Sequence, residues 1–212
     1  MSWIDILFPP TCVSCEAAGD WLCEDCLRQV VLYAHPREMK TGFRSLISCG
    51  AYADPVLRKM VTTFKYRSAK CLQSAWTRLL QRFRASFLDA WPWAGEEEMI
   101  VTSVPADPRR SRARGMDHAA LIAQAVTDVL VPWASRERLL ERVRMTPQNA
   151  LLPADATRSI NVSGAFCATR SINSPVLLVD DVMTTGSTLE EAANILLAAG
   201  APRVYGVVMA EG

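Results

Sequence analysis

The chain has 212 residues, half of them hydrophobic, and a formal net charge of +1 at pH 7. This is ample for one α/β domain with a small appendage, and a charge so near zero excludes a protein drawn to nucleic acid or membrane by its overall field. No apolar run is long enough to span a bilayer. Because the first residues lack a basic stretch and carry Asp5 within a short apolar patch, we expect no signal peptide and a soluble cytoplasmic protein.

Four of the seven cysteines form two pairs near the N-terminus, Cys12 with Cys15 and Cys23 with Cys26. Two such pairs, separated by a short polar loop, can wrap four thiolates tetrahedrally around one zinc ion. A reducing cytoplasm disfavours two disulfides, and a redox pair normally stands alone at the start of a helix, so zinc is the favoured interpretation. Four protein ligands leave no open position for a substrate, which makes the expected role of the zinc structural.

The chain is predicted to divide into two parts. Residues 1–35 form the zinc module, because so small a core needs a metal to hold it, and residues 43–212 form the α/β domain. In this second part strands and helices alternate, which is typical of a parallel sheet. The predicted strands are 45–52, 99–104, 139–143, 176–179 and 204–209, and the predicted helices are 54–64, 70–90, 116–131 and 189–199. A long irregular loop is expected over 146–164.

The segment 176–188 is the most informative in the chain. Its apolar run predicts a buried strand, with Asp180 and Asp181 at the carboxyl end, where ligands bind in open α/β sheets. A turn rich in hydroxyl groups then opens a helix, whose free N–H groups suit a phosphate, and Gly186 allows close backbone approach. Adjacent carboxylates are placed to accept hydrogen bonds from a diol, so the segment predicts a site for a ribose 5-phosphate. The alternative is an ordinary strand, turn and helix in which Asp and Thr act only as turn and N-cap residues.

Three basic segments are candidates for contacts to a pyrophosphate. The strongest is the loop 107–115, whose arginines present planar forks that grip phosphate oxygens; a solvated loop or a patch for another polyanion is its alternative. The second, 64–67, closes a helix, where simple complementarity to the helix dipole competes. The third, 142–166, mixes arginine with amide side chains, as a flap over a ligand does, and an ordinary surface loop explains it nearly as well.

The segment 176–188 resembles the signature for phosphoribosyl pyrophosphate (PRPP) in type I phosphoribosyltransferases. The order of motifs along nearly the whole chain is similar to that of the ComF family (competence protein FC/GntX-like). These motifs are the four-cysteine module, F-K-Y-R at 64–67, V-P at 104–105, R-x-R-G at 112–115, T-P-Q at 146–148, R-x-x-N at 158–161 and the PRPP signature. The resemblance implies a type I phosphoribosyltransferase-like parallel sheet flanked by helices, with a small N-terminal zinc-binding module.

The resemblance also implies roles for individual residues. Asp180 and Asp181 would hold the ribose hydroxyls, and Mg²⁺ would accompany PRPP. The 5-phosphate would be held by Thr184, Thr185, Gly186, Ser187 and Thr188. The pyrophosphate side would be lined by Lys65, Arg67, Arg112, Arg114 and Gly115, and a flap would carry Gln148, Arg158 and Asn161. The zinc ligands would be Cys12, Cys15, Cys23 and Cys26.

One stretch departs from the family pattern. Where the family usually has Phe-Asn-Gln after this Arg-Gly, the chain has Met116, Asp117 and His118. His118 at this position is expected to have a helix-capping or surface role, with ligand contact as the alternative.

Two functions are compatible with the resemblance. Family members are linked to DNA uptake in natural transformation or to the use of imported DNA, with PRPP, single-stranded DNA and a DNA-uptake helicase as the implied partners. Trp21, Tyr66 and Trp76 are candidates for base stacking, although tryptophans at helical spacing more often belong to a core. The alternative is an active phosphoribosyltransferase with an unknown nucleobase or amine acceptor. Thr184 stands where purine-salvage relatives have an aspartate that contacts the base, which speaks against hypoxanthine- or guanine-type salvage.

Overall fold

The computed structural model describes residues 10–34, 36–37, 43–66, 69–87, 91–106, 117–144 and 163–212, with only the backbone of 64–66 and 69–72. The strands in these segments are β1 (Ser45–Ser48), β2 (Ile100–Ser103), β3 (Ser135–Arg136), β4 (Leu140–Arg142), β5 (Phe166–Ala168), β6 (Val176–Met183) and β7 (Val204–Glu211). The helices are α1 (Glu24–Gln29), α2 (Pro55–Tyr66), α3 (Ala69–Ser86), α4 (His118–Leu130) and α5 (Ser187–Ala198). None of these helices is long and apolar enough to cross a membrane.

Five strands form one parallel sheet in the order β1-β7-β6-β2-β3. Its central strand β6 begins with four fully buried residues, as expected of a parallel strand covered on both faces. Leu177 and Val179 face a core shared with α3 and α4, and Val176 and Leu178 face a second core shared with α5. The predicted α/β class is confirmed, and the sheet brings the carboxyl ends of β2, β6 and β7 to one edge.

The N-terminal segment packs directly against this body. Cys12, Leu22 and Leu27 are buried in the same core as α3 and α4. Arg78 on α3 pairs with Asp20 and donates to the carbonyl oxygen of Leu22 at 2.8 Å. These contacts tie the position of the cysteine-rich segment to the helices that cover one face of the sheet.

Several element boundaries differ from those predicted. β1 is shorter than the predicted strand, and β3 and β5, of two and three residues, were not predicted at all. Such short strands exist because a neighbouring strand pairs with them. β3 pairs parallel with β2, and β5 pairs antiparallel with β4. In the opposite direction, β6 runs past its apolar part to Met183, because β7 continues to pair with it as far as Glu211.

Gly200, which ends α5, provides a stability prediction. Its φ is +107°, and a Cβ there would stand 2.5 Å from the carbonyl oxygen of Ile172. Gly200→Ala is therefore expected to lower the free energy of unfolding by about 2–4 kcal/mol, from backbone strain plus this clash. Gly95→Ala is the matched control, because Gly95 has a φ of +96° but open space around the added Cβ. It should cost only about 1 kcal/mol. Thermal unfolding measures the loss of stability in each variant. Equal losses in Gly200→Ala and Gly95→Ala would contradict the role given to the Ile172 carbonyl.

Candidate functional site

The two acids of the PRPP-like signature lie within β6 near its carboxyl end. Asp180 pairs with Val208 of β7, and both acids are half-buried. The Asp180 carboxylate accepts from the N–H of Asp181 at 2.8 Å, and the Asp181 carboxylate accepts from the N–H of Val182 at 2.7 Å. The predicted strand was too short, since it placed both acids beyond its end. The ladder to β7 pairs the backbone of Asp180 and of Val182, on either side of Asp181, and so fixes where the two acids stand on β6.

The turn after β6 leads straight into α5. Thr184 and Thr185 are exposed, and the Thr185 and Ser187 hydroxyl oxygens are 2.7 Å apart. Gly186 occupies the N-cap with a φ of +84°, a conformation that favours glycine, and no side chain caps the helix. The first N–H groups of α5 therefore point into a turn lined with hydroxyl groups, which is the arrangement that binds a phosphate.

A cavity of about 160 Å³ lies beside this site, at the carboxyl end of β2. Ser103, in its wall, pairs with Val179, the residue before the two acids. The cavity is lined by Ser103, Pro105, Asp117, Ala120, Ala123, Arg136, Glu137, Arg138 and Leu140.

Among the residues that the structure describes, four charged side chains line the cavity, two of them acidic and two basic. The Asp117 carboxylate caps α4 by accepting from Ala120, and the Glu137 carboxylate pairs with Arg170. Arg136 and Arg138 remain as its cationic side chains in the described part of the chain. Neither arginine was predicted from the sequence, because the short run Ser-Arg-Glu-Arg at 135–138 gains meaning only from its place beside β2.

The basic residues predicted from the sequence fall largely outside the described residues. This holds for Arg67, Arg112, Arg114, Gly115, Gln148, Arg158 and Asn161, and for the side chain of Lys65. Gly164, near the end of the predicted flap segment 142–166, donates its N–H to Glu191 of α5 at 2.6 Å. The chain leaving the flap segment thus lies against the helix that follows the candidate phosphate turn.

The start of α4 differs from the expectation for His118. Asp117 is the N-cap residue, and His118 is only 6% exposed, so neither a capping nor a surface role applies to the imidazole.

Trp76 is buried in the core, which removes it from the candidates for base stacking.

The four cysteines near the N-terminus converge. Their Sγ atoms all lie within 4.8 Å of one another, and those of Cys15 and Cys23 are 3.6 Å apart. A disulfide needs about 2.05 Å, whereas sulfurs at about 2.3 Å from a central zinc are about 3.8 Å from one another. The first pair lies on a loop closed by a bridge between Thr11 and Ala18, and the second opens α1. The geometry fits a tetrahedral metal site.

The thiols of this cluster have unequal proton affinities. Burial raises the pKa of Cys12, but the backbone N–H groups of Cys15, Cys23 and Ser14 outweigh burial and lower it to about 6. Burial, helped by the neighbouring thiols, raises the pKa of Cys26 to about 12. A dication at the centre would favour the thiolate at all four positions, so the donor set suits zinc.

Tyr33 lies at the same edge of the sheet as the signature, and its hydroxyl donates to Glu211 at 3.0 Å. Burial, and then the Glu211 carboxylate, raise the pKa of Tyr33 to about 12. This pKa exceeds the value of about 10 in the unfolded chain, so the contribution to stability is complete below pH 10 and is lost as the pH rises to 12.

At alkaline pH the free energy of unfolding of Tyr33→Phe should therefore fall less than that of wild type. Because Tyr33 is partly exposed to solvent, the effect is about 1 kcal/mol between pH 9 and pH 12. Urea unfolding at the two pH values measures it. Tyr52→Phe is the control, since it removes a hydroxyl from the same edge and leaves the Tyr33–Glu211 bond in place. Parallel pH profiles for wild type and Tyr33→Phe would contradict this assignment.

The chain is similar to proteins that are named for the use of DNA. No family model matches it. It is 32% identical over 166 residues to the DNA utilization protein YhgH of Escherichia coli strain K12, covering 76% of this chain and 70% of the relative. With the protein of the same name from Salmonella typhimurium it shares 36% identity over 106 residues, which cover 49% of this chain and 45% of the relative.

A more distant likeness is found among solved structures. A hypoxanthine phosphoribosyltransferase from Staphylococcus aureus gives a TM-score of 0.41 at 12% identity, covering 66% of this chain and 64% of that one. A likeness of this size says nothing about ligands.

Proposed function

Because this chain belongs to the ComF/GntX-like family of the DNA utilization protein YhgH, we propose that it binds PRPP and acts in the uptake or use of DNA. The ligand would sit at the carboxyl end of β6. The observation that carries this proposal is the order of groups there: two carboxylates held by the sheet, then a turn with Gly186 in the left-handed region, then the uncapped start of α5.

Each part of that arrangement matches one part of a ribose 5-phosphate. Asp180 and Asp181 accept hydrogen bonds from the ribose hydroxyls, because ionised carboxylates are acceptors only. The N–H groups and hydroxyls at the start of α5 donate to the 5-phosphate. Asp180 stands four residues before Thr184, so the two subsites lie next to one another at the end of a single strand.

The pyrophosphate of PRPP calls for cations on the far side of the ribose. The family pattern assigns Lys65, Arg67, Arg112, Arg114 and Gly115 to this role, and Gln148, Arg158 and Asn161 to a flap. Arg136 and Arg138, which line the cavity beside β2, support an anion on this side, because Asp117 already caps α4 and Glu137 is paired with Arg170. Mg²⁺ bound with PRPP would neutralise part of the pyrophosphate charge.

The four-cysteine cluster would hold zinc in a structural role. All four positions are taken by protein thiols, and Cys12 and Cys26 are buried in the main core, so a bound ion would have no open position for substrate. Its contribution is to fix residues 12–26 against α3.

The DNA part of the proposal follows from the family and has its own test. A fluorescently labelled thymidine oligonucleotide should bind with an affinity that falls with salt at a slope of about −2, as for about three phosphate contacts, because the net charge is only +1. Anisotropy between 50 and 200 mM salt measures the slope. No binding at the lowest salt would contradict direct contact with single-stranded DNA and would leave a helicase as the proposed partner.

The ligand part is tested by calorimetry with PRPP and Mg²⁺. A saturable heat near one PRPP per chain supports it, and the absence of any saturable heat contradicts it. The alternative function, an active phosphoribosyltransferase, is tested by adding adenine, cytosine or an ammonium salt to the same mixture. Release of pyrophosphate over many turnovers would favour that alternative.

A further inference from the structure

Two residues that lie far apart in the sequence, Tyr33 and Glu211, meet at the edge of the sheet that carries the proposed ligand site, and this pair is named the wall. Glu211 ends β7 and pairs with Met183, three positions beyond the partner of Asp180. Tyr33 follows the cysteine module and reaches Glu211 with its hydroxyl, at 3.0 Å across 178 residues of sequence. The two residues therefore stand on the β7 side of the acids, at the edge where ligands of such sheets bind.

Glu211 is fixed on both sides through its backbone. Its N–H donates to the carbonyl oxygen of Gly50 at 3.0 Å, and its own carbonyl oxygen accepts from the N–H of Tyr52 at 2.6 Å. On the other side, the N–H of Gly212 donates to the carbonyl oxygen of Met183 at 2.9 Å. The backbone of Glu211 is thus held by the sheet and does not depend on a flexible loop.

Tyr33 is held as firmly. Its N–H donates to the carbonyl oxygen of Cys49, and the preceding residue, Leu32, forms a bridge with Gly50. Closer to the cysteines, Arg82 donates to the carbonyl oxygens of Leu27 and Val30. The segment from α1 to Tyr33 is therefore placed by the body of the protein, with the phenol hydroxyl aimed at the end of β7.

The Glu211 carboxylate determines which chemical groups of a ligand can lie next to this wall. An ionised carboxylate accepts hydrogen bonds and donates none, and Tyr33 occupies one of its oxygen atoms. A phosphate is repelled by it, whereas an amino or N–H group is favoured. The wall is accordingly suited to a nitrogen-bearing group attached to the ribose, and not to a further phosphate.

From this geometry we propose that Glu211, oriented by Tyr33, determines specificity by accepting a hydrogen bond from an amino-bearing base joined to ribose 5-phosphate. The inference rests on the proposed ribose 5-phosphate site and adds the class of compound that is attached there. The ligand class is a nucleoside 5′-monophosphate with an exocyclic amino group, or the free base that would form one.

Calorimetry with ribose 5-phosphate, AMP, GMP and CMP tests the inference on the full chain. At least one of the three nucleotides should bind wild type about tenfold more tightly than ribose 5-phosphate, as one charge-assisted hydrogen bond provides. In Glu211→Gln that gain should fall below about twofold while ribose 5-phosphate binds as before. Tyr33→Phe should retain part of the gain, because the carboxylate remains but is no longer oriented.

Asp128→Asn provides the matched control, since it removes an exposed carboxylate on α4 that contacts Gln124. It should leave every affinity unchanged, and thermal unfolding checks that all variants are folded. Nucleotides that bind wild type no better than ribose 5-phosphate would overturn the inference, as would a gain that survives in Glu211→Gln. If wild type failed to bind ribose 5-phosphate itself, the proposed function would be overturned, and the inference with it.

Discussion

Replacing Asp180 and Asp181 together by asparagine is expected to weaken the binding of PRPP about a hundredfold. Each carboxylate would accept a charge-assisted hydrogen bond from a ribose hydroxyl, worth about 1.5–3 kcal/mol, and an amide in its place is a weaker acceptor without the charge. Calorimetry with PRPP and Mg²⁺ measures the loss.

Asparagine is the informative replacement because of what these carboxylates do in the folded chain. One oxygen of each accepts from the next backbone N–H, and an amide oxygen can keep that bond. The fold should therefore survive, with a melting temperature close to that of wild type. Asp128→Asn is the control for a carboxylate far from the site. A double variant that binds PRPP as wild type does would show that these carboxylates do not hold the ribose.

Removing the metal from the four-cysteine cluster is expected to have the largest effect on stability. Cys12 and Cys26 are buried in the main core, so a loosened cluster would expose apolar surface and release the contacts of Arg78. We expect a loss of about 3–5 kcal/mol, or about 10 °C in melting temperature, on treatment with a strong chelator. Metal analysis of protein purified without added metal should give about one zinc per chain.

Cys15→Ser separates metal binding from ordinary packing. Cys15 is exposed, so without a metal its replacement should change the free energy of unfolding by less than about 0.5 kcal/mol. As a zinc ligand it should cost nearly as much as chelation, and chelator should then have little further effect. Cys167→Ser, at a half-buried thiol outside the cluster, is the control and should remain sensitive to chelator. A zinc-free Cys15→Ser protein with the same melting temperature as wild type would contradict the zinc assignment.

The sequence was most predictive where the chemistry is local. The run from Val176 to Val179 indicated a buried central strand, and the hydroxyl-rich turn indicated the start of a helix. The cysteine spacing anticipated the cluster for the same reason, since each pair spans one turn of backbone. Within the segment 176–188, the end of β6 was misjudged, because pairing with β7 carries polar residues into the strand.

The features that the sequence did not indicate depend on contacts across the fold. Tyr33 and Glu211 meet only because the segment after the cysteine module lies over the ends of β1 and β7, and no local pattern marks either residue. Arg136 ends, and Arg138 follows, a strand of two residues that exists because β2 pairs with it. Burial of His118 likewise depends on how α4 packs, whereas its neighbour Asp117 carries the recognisable capping signal.

The most direct test of the site at β6 compares the affinity for ribose 5-phosphate with the affinities for ribose and for inorganic phosphate. If carboxylates and phosphate turn act on one ligand, ribose 5-phosphate binds at least about tenfold more tightly than inorganic phosphate, and ribose alone binds weakest. If ribose 5-phosphate bound no more tightly than inorganic phosphate, the sugar would make no use of Asp180 and Asp181, and this account of the site would be wrong.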